Sequence, residues 1–177
     1  MTYFYLLMGG GVASLAHFYL VWTHRGKGLL SVSEHAIADK NSHRIYFASH
    51  VVCEAFILMF SYNFYVVEHN VLIPHYLNIC FIVFDFVQAA LPSTGNTEKI
   101  HLRAAYVSWA SYITSGTIAF FLLDIVQPFK LASLIFLIPS LGMLVYLNFD
   151  KHKKYIYQLA IVPLFVIYLL LVVIGSR

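Results

Sequence analysis

Hydrophobic positions along the chain gather into six long runs parted by short polar segments: Thr2 to Thr23, Ile45 to Val67, Val71 to Pro92, Leu102 to Leu123, Leu131 to Phe149 and Tyr155 to Ser176. A hydrocarbon core of roughly 30 Å takes about 20 apolar residues per helix, and each run has about that length. The pattern predicts an all-α, polytopic integral membrane bundle of six transmembrane helices forming one domain over residues 1–177. The turn Glu68 to Asn70 is so short that the second and third helices must form a tight antiparallel pair, and a brief fifth loop does the same for the last two. The sixth run is almost uniformly Leu, Ile and Val, as expected of a helix facing lipid, and Pro139 and Pro163 are expected to bend the fifth and sixth helices.

Composition agrees with membrane solvation. At 60% apolar and 11% charged residues, with a mean hydropathy of +0.77, the chain lies outside the range of soluble globular domains. The first run has no Lys or Arg ahead of it and no small-x-small cleavage pattern, so it is expected to be a helix of the mature protein, not a secretory signal. Cys53 and Cys80 both fall inside apolar runs and read as buried thiols. Gly9, Gly10 and Gly11 lie within an apolar span with no Gly-Lys-Ser/Thr after them, which excludes a phosphate loop and points to close helix packing.

Charge then sets the orientation. Nine of the eleven Lys and Arg residues fall in loops one, three and five: Arg25, Lys27, Lys40, Arg44, Lys99, Arg103, Lys151, Lys153 and Lys154. Only Lys130 and Arg177 fall on the other side. Cytoplasmic loops retain positive charge, so both termini are expected on the non-cytoplasmic side of a bacterial cytoplasmic membrane. The lipid bilayer is the expected partner, with other membrane subunits a further expectation and no nucleic acid among the partners.

The polar residues inside the runs carry the chemistry, because ionisable groups at membrane depth are costly. His50 and Glu54 are four apart and share a helical face with Tyr46 and Ser61; Asn78, Asp85 and Gln88 form a second stripe. His17 adds an imidazole from the first helix, and His101 opens the fourth above Ala105, Ser108, Tyr112 and Ser115. At ~1.5 Å per residue, His17 and His50 come out ~9 Å below the cytoplasmic helix ends, Asp85 ~10 Å, Glu54 ~15 Å and His101 ~0 Å. One layer in one half of the bundle therefore predicts a metal or cofactor site, with His17, His50, Asp85 and His101 as metal ligands and Glu34 or Glu54 as acid or base. Mixed His and carboxylate ligands suit zinc, iron or manganese, with zinc or iron the expected ion. His50 and His101 also offer cross-bundle haem ligation, although the fifth helix has no histidine to supply a second pair. A structural role remains open: His50 and Glu54 can satisfy each other, and Asn78, Asp85 and Gln88 can bond helices together. His24, His35, His43 and His152, near the loops, are expected to be solvated or interfacial.

Two loops complete the picture. Loop one carries Leu30-Ser31-Val32-Ser33-Glu34-His35-Ala36, and loop three carries Leu91-Pro92-Ser93-Thr94 followed by Ile100-His101 and Ala104-Ala105. This order of motifs resembles an uncharacterised bacterial membrane family, domain of unknown function family 998, over about the first 115 residues. Ser33, Glu34, Pro92, Thr94 and His101 match its pattern, while His35 stands where the family has Tyr and Gly95 where it has Asp. The resemblance implies a six-helix fold with these loops as signature elements and implies no particular activity. Three functions compete: a membrane-embedded metal or cofactor site acting, as in hydrolysis, on a lipid or amphipathic substrate; a non-catalytic accessory or assembly subunit of a membrane complex; and a small proton-coupled transporter.

Overall fold

The computed structural model describes residues 1–91, 94–146 and 154–176. Among these the chain is all-helical, with seven α-helices: α1 (Thr2–Thr23), α2 (Val32–Ala36), α3 (Lys40–Ser61), α4 (Leu72–Ala90), α5 (Glu98–Leu122), α6 (Gln127–Tyr146) and α7 (Lys154–Gly175). A π-helical turn, Tyr62–Glu68, extends α3, and a 3-10 turn, Gly95–Thr97, leads into α5. Four helices are long and apolar enough to cross a membrane: α1, α3 with its extension, α4 and α7. α5 has the length, but Glu98, Lys99 and Arg103 near its start and the buried Ser108, Ser111 and Ser115 lower its hydropathy. The apolar stretch of α6 is shorter, Gln127–Met143. Pro139 and Pro163 sit inside α6 and α7.

Several helices start before their apolar runs do. α3 begins at Lys40 instead of Ile45 because Asp39 caps it: the Asp39 carboxylate accepts the Ser42 N–H at 2.8 Å and the Ser42 hydroxyl at 3.0 Å. The Ser42 N–H also holds the Asp39 carboxyl below the usual carboxylate range. Hydropathy marks where a helix enters hydrocarbon, whereas the cap marks where it starts. α5 likewise begins at Glu98 and α6 at Gln127, ahead of the runs at Leu102 and Leu131. Pro92, the predicted end of the fifth run at Phe149, His152 with Lys151 and Lys153, and Arg177 lie outside the described residues.

Packing follows a chain of neighbours: α3 on α1, α4 on α3, α5 on α4, α7 on α1, and α6 on α7. Thr2 bonds to Glu68, and Ile125 pairs with Ser176, so the start of α1 and the residue after α7 lie at the same end of the bundle. α2 and His101 sit at the opposite end. α1 approaches its neighbours through glycine: a Cβ on Gly9 would lie 3.2 Å from Cys53 O, and one on Gly10 only 2.3 Å from Val166 Cγ2. Gly11 faces open space.

The last helix corrects the expectation of a lipid-facing wall. α7 supplies the centre of the core, with Phe165, Tyr168, Leu169 and Val172 all at 0–1% exposure. A helix that is apolar all round fits a buried position as well as a lipid-facing one, and here packing against α1, α5 and α6 settles the matter. The outward helix is α6, whose Leu131, Ile135 and Ile138 are 64–68% exposed.

Candidate functional site

Tyr46, His50 and Glu54 follow one another at four-residue spacing on α3, so one helical face presents all three toward α4. All three are buried, Glu54 to 1% exposure. Asp85 on α4 bonds His50 Nδ1, and Glu54 Oε1 lies 3.8 Å from the same nitrogen. His50, Glu54 and Asp85 each offer a ligand atom, and these atoms lie within 4.8 Å of one another. The group has the donor types and closeness to hold a metal ion.

Neighbouring helices fix its geometry. Ser108 on α5 donates to Asp85 Oδ1 at 3.3 Å, and the Tyr46 ring stands 4.3 Å from the His50 ring, centroid to centroid. Gln88 donates to the Tyr46 hydroxyl at 3.0 Å. His17 on α1 brings its ring to 5.7 Å from that of His50. Among the described residues, neither His17 nitrogen, nor His50 Nε2, nor either Glu54 oxygen has a hydrogen-bond partner. Buried polar atoms are normally paired, so these atoms are available to a bound group.

The site opens on a cavity of about 430 Å³. His17, His50, Asp85 and His101 all line it, as does Glu34; Glu54 does not. Its character changes along its length. Ser31, Ser33, Glu34 and Gln158 surround the α2 end, the His and Asp layer follows, and Ile57, Phe81, Tyr112 and Val166 form the deep end. Phe81 and Tyr112 stack there at 4.6 Å.

Two of the predicted site residues have local structural partners. His101 is not drawn into the close His50 group: its Nδ1 donates to the carbonyls of Gln88 and Leu91, both at 2.9 Å, and so closes the C-terminal end of α4. Glu34 accepts the Leu30 N–H at 2.7 Å, while Ser31 Oγ accepts the Glu34 N–H at 3.2 Å. Ser31 thus caps the short helix α2, and Glu34 reaches back one residue past the cap to Leu30, a variant of the capping box. Glu54, in contrast, belongs with His50 and Asp85 as a possible ligand, besides any acid–base role.

The sequence pattern did not reveal Gln158. Its Oε1 accepts the Val32 N–H at 2.7 Å, and Tyr155 N–H donates to Leu30 O at 2.9 Å, so α7 holds α2 over the cavity mouth. A lone Gln at the start of an apolar helix was the only available signal. Two histidines expected in solvent are instead buried, at 4% for His24 and 3% for His35. His24 Nε2 lies 2.7 Å from Ser42 Oγ beside the α3 cap, and His35 Nδ1 donates to Ser31 O at 2.6 Å. Both brace the loop that carries α2.

Fold and site together define a helical protein with four helices long and apolar enough to span a membrane and a buried His/Asp/Glu group able to hold a metal ion. Comparison of the chain with protein-family models, curated proteins and solved structures finds no match in any of the three.

Proposed function

We propose that the chain is a six-span integral protein of a bacterial cytoplasmic membrane, with both ends outside, whose site in the cytoplasmic half binds zinc or iron and acts on a lipid or other amphipathic substrate. The observation that carries this reading is the buried convergence of His50, Glu54 and Asp85 within 4.8 Å beside an unpartnered His17. Six spans are supported by α5 and α6 continuing the up-and-down course of the four clearly apolar helices. The positive loops and the resemblance to family 998 support the orientation and the bacterial membrane.

In this reading the ion would be held by His50, Glu54 and Asp85, with His17 the nearest additional donor. A bound divalent metal lowers the pKa of water toward neutrality and polarises a carbonyl or phosphoryl oxygen, which makes hydrolysis the natural reaction. The protein's own part is to orient and to exclude water. Asp85, steadied by Ser108, fixes the His50 ring, and Tyr46 packs over it. Glu34 at the mouth and Glu54 in the layer are the available acid–base groups.

The test is one preparation of the full chain in mild detergent, with metal content and ultraviolet-visible spectrum recorded together. Near-stoichiometric zinc or iron in the wild type, lost in His50→Ala and Asp85→Asn, is the expected result. A Soret band would replace the metal by haem. A colourless, metal-free protein carrying a stable partner would overturn the reading in favour of an accessory subunit.

A further inference from the structure

The helices around the cavity form a ring with four packed seams and one open one. α1 meets α3, α3 meets α4, α4 meets α5, and α1 meets α7. α5 and α7 complete the ring but come together only in its deeper half. There the Tyr112 and Phe165 rings stand 4.8 Å apart, and the Tyr168 hydroxyl donates to Gly116 O at 2.7 Å. Gly116 permits this approach, since a Cβ on it would lie 2.8 Å from Phe165 Cζ.

Toward the α2 end the two helices part. Leu102, Ala105, Tyr106 and Trp109 of α5 face Gln158 and Val162 of α7 across the cavity. Leu102 and Tyr106 line it yet are 41% and 50% exposed, so this wall is also an outer surface. From Leu102 to the closure at Tyr112 the gap runs ~15 Å along the helix axis, at ~1.5 Å per residue. Among the described residues α6 does not cover it, being packed on α7 and contributing nothing to the cavity lining.

From this geometry we infer that one acyl chain of a bilayer lipid enters sideways through the α5–α7 seam, while the rest of the lipid stays in the membrane. The inference rests on the reading of the chain as a membrane protein with a lipid-directed cavity and names the part of the lipid that is taken in. Three observations select this occupant. The gap lies between helices that face hydrocarbon, where an alkyl chain is the solvent. The cavity's deep end is apolar, with Ile57, Phe81 and Val166 as its walls. Its volume of about 430 Å³ falls in the range of roughly 300–1,000 Å³ typical of single-ligand sites. A chain lying there passes the His50 layer and leaves its polar head beside Ser33 and Glu34, under α2.

The experiment places the full-length protein in phosphatidylcholine vesicles containing a phospholipid with a diazirine within one acyl chain. After photolysis, adducts are mapped by mass spectrometry. Ile57, Phe81 and Val166 are only 2–8% exposed, so lipid outside the bundle does not reach them, whereas Phe121 at 74% is always accessible. Adducts are expected at the three deep positions as well as at Phe121. Filling the seam from either wall, with Ala105→Phe or Val162→Phe, should cut deep labelling by roughly tenfold, as for the loss of one factor of ten in affinity, and leave Phe121 labelling unchanged. Val107→Phe, at an exposed α5 position outside the cavity lining, should change neither, which guards against a general effect of added bulk. Deep adducts that are missing from the wild type, or that survive both seam variants, would overturn the inference. His50→Ala separates it from the metal reading: deep labelling in a metal-free protein leaves the seam standing without the metal, and bound metal without deep labelling does the reverse.

Discussion

Replacing Gly10 by Ala puts a methyl group where α1 meets α7. The added carbon would lie 2.3 Å from Val166 Cγ2 and 3.2 and 3.3 Å from Val166 Cγ1 and Cβ. Optimal carbon–carbon separation is ~3.5–4.0 Å, so the first contact is more than ~1 Å too close by that measure. Val166 branches at Cβ and has little rotamer freedom in a helix, so the helices themselves must separate. Overpacking of this kind costs about 1–3 kcal/mol, and each kcal/mol moves the midpoint by ~2–4 °C in chains of this length. Thermal unfolding in mild detergent, followed by circular dichroism, should therefore show a fall of several degrees. Gly11→Ala is the internal control, since a Cβ there meets nothing within 4 Å; it should be neutral or stabilise by up to ~1 kcal/mol through helix propensity. Combining Gly10→Ala with Val166→Ala should recover much of the loss. Equal midpoints for Gly10→Ala and Gly11→Ala, or additive effects in the double variant, would refute the packing of α7 on α1 and with it the central place of the last helix.

Further outcomes follow from the bonds around the cavity. His101→Ala should leave metal content unchanged but destabilise the fold by ~1–3 kcal/mol, because two carbonyls lose their donor; metal analysis alongside unfolding separates these effects. Glu34→Ala should loosen α2 by ~0.5–2 kcal/mol, the usual scale of a lost cap, visible as faster hydrogen exchange over residues 31–37, and unchanged exchange would remove the capping role. Tyr168→Phe should cost ~0.5–1.5 kcal/mol, the worth of one hydrogen bond, read from the unfolding midpoint. The Asp39 carboxyl is held below its ordinary value of 3.8 by the Ser42 N–H. Its stabilisation of the α3 start is therefore complete above the free-chain pKa and is lost as pH falls through the depressed one. Exchange at the first turn of α3 should rise on acidification in the wild type, and Asp39→Asn should flatten that dependence.

Much of the site was legible because helical spacing and membrane depth are both arithmetic. His50 and Glu54 at four-residue spacing had to share a face, and counting rise from the helix ends set Asp85 at the depth of His50, where the two side chains do bond. Partners that depend on loop conformation were not legible in this way. His101 was placed at the mouth by depth, but its bond to the carbonyls of Gln88 and Leu91 depends on how α4 ends. Glu34 looked like a free acid because a five-residue helix, Val32–Ala36, leaves no periodic signal, although Ser31-x-x-Glu34 spells the capping pattern that starts it. Hydropathy failed most clearly at α7, where an even run of Leu, Ile and Val carries no polar face to say which side meets protein.

The segments around Ser31–Glu34 and His101 thus act chiefly as fasteners around the cavity mouth. Ser31 and Glu34 build α2, Gln158 and Tyr155 tie it to α7, and His101 closes the turn from α4 toward α5. His50, Glu54 and Asp85, the group able to hold a metal ion, lie deeper, on helices whose sequences otherwise read as plain membrane spans. Such a division has a physical reason. A buried His and carboxylate group keeps its geometry only if the helices presenting it cannot slide. The shortest route to that rigidity is to clamp their ends, where backbone carbonyls and N–H groups are free to accept a side chain. Motif order at the helix ends is then a sign of how the bundle is held, and the ionisable residues at depth are the sign of what it holds.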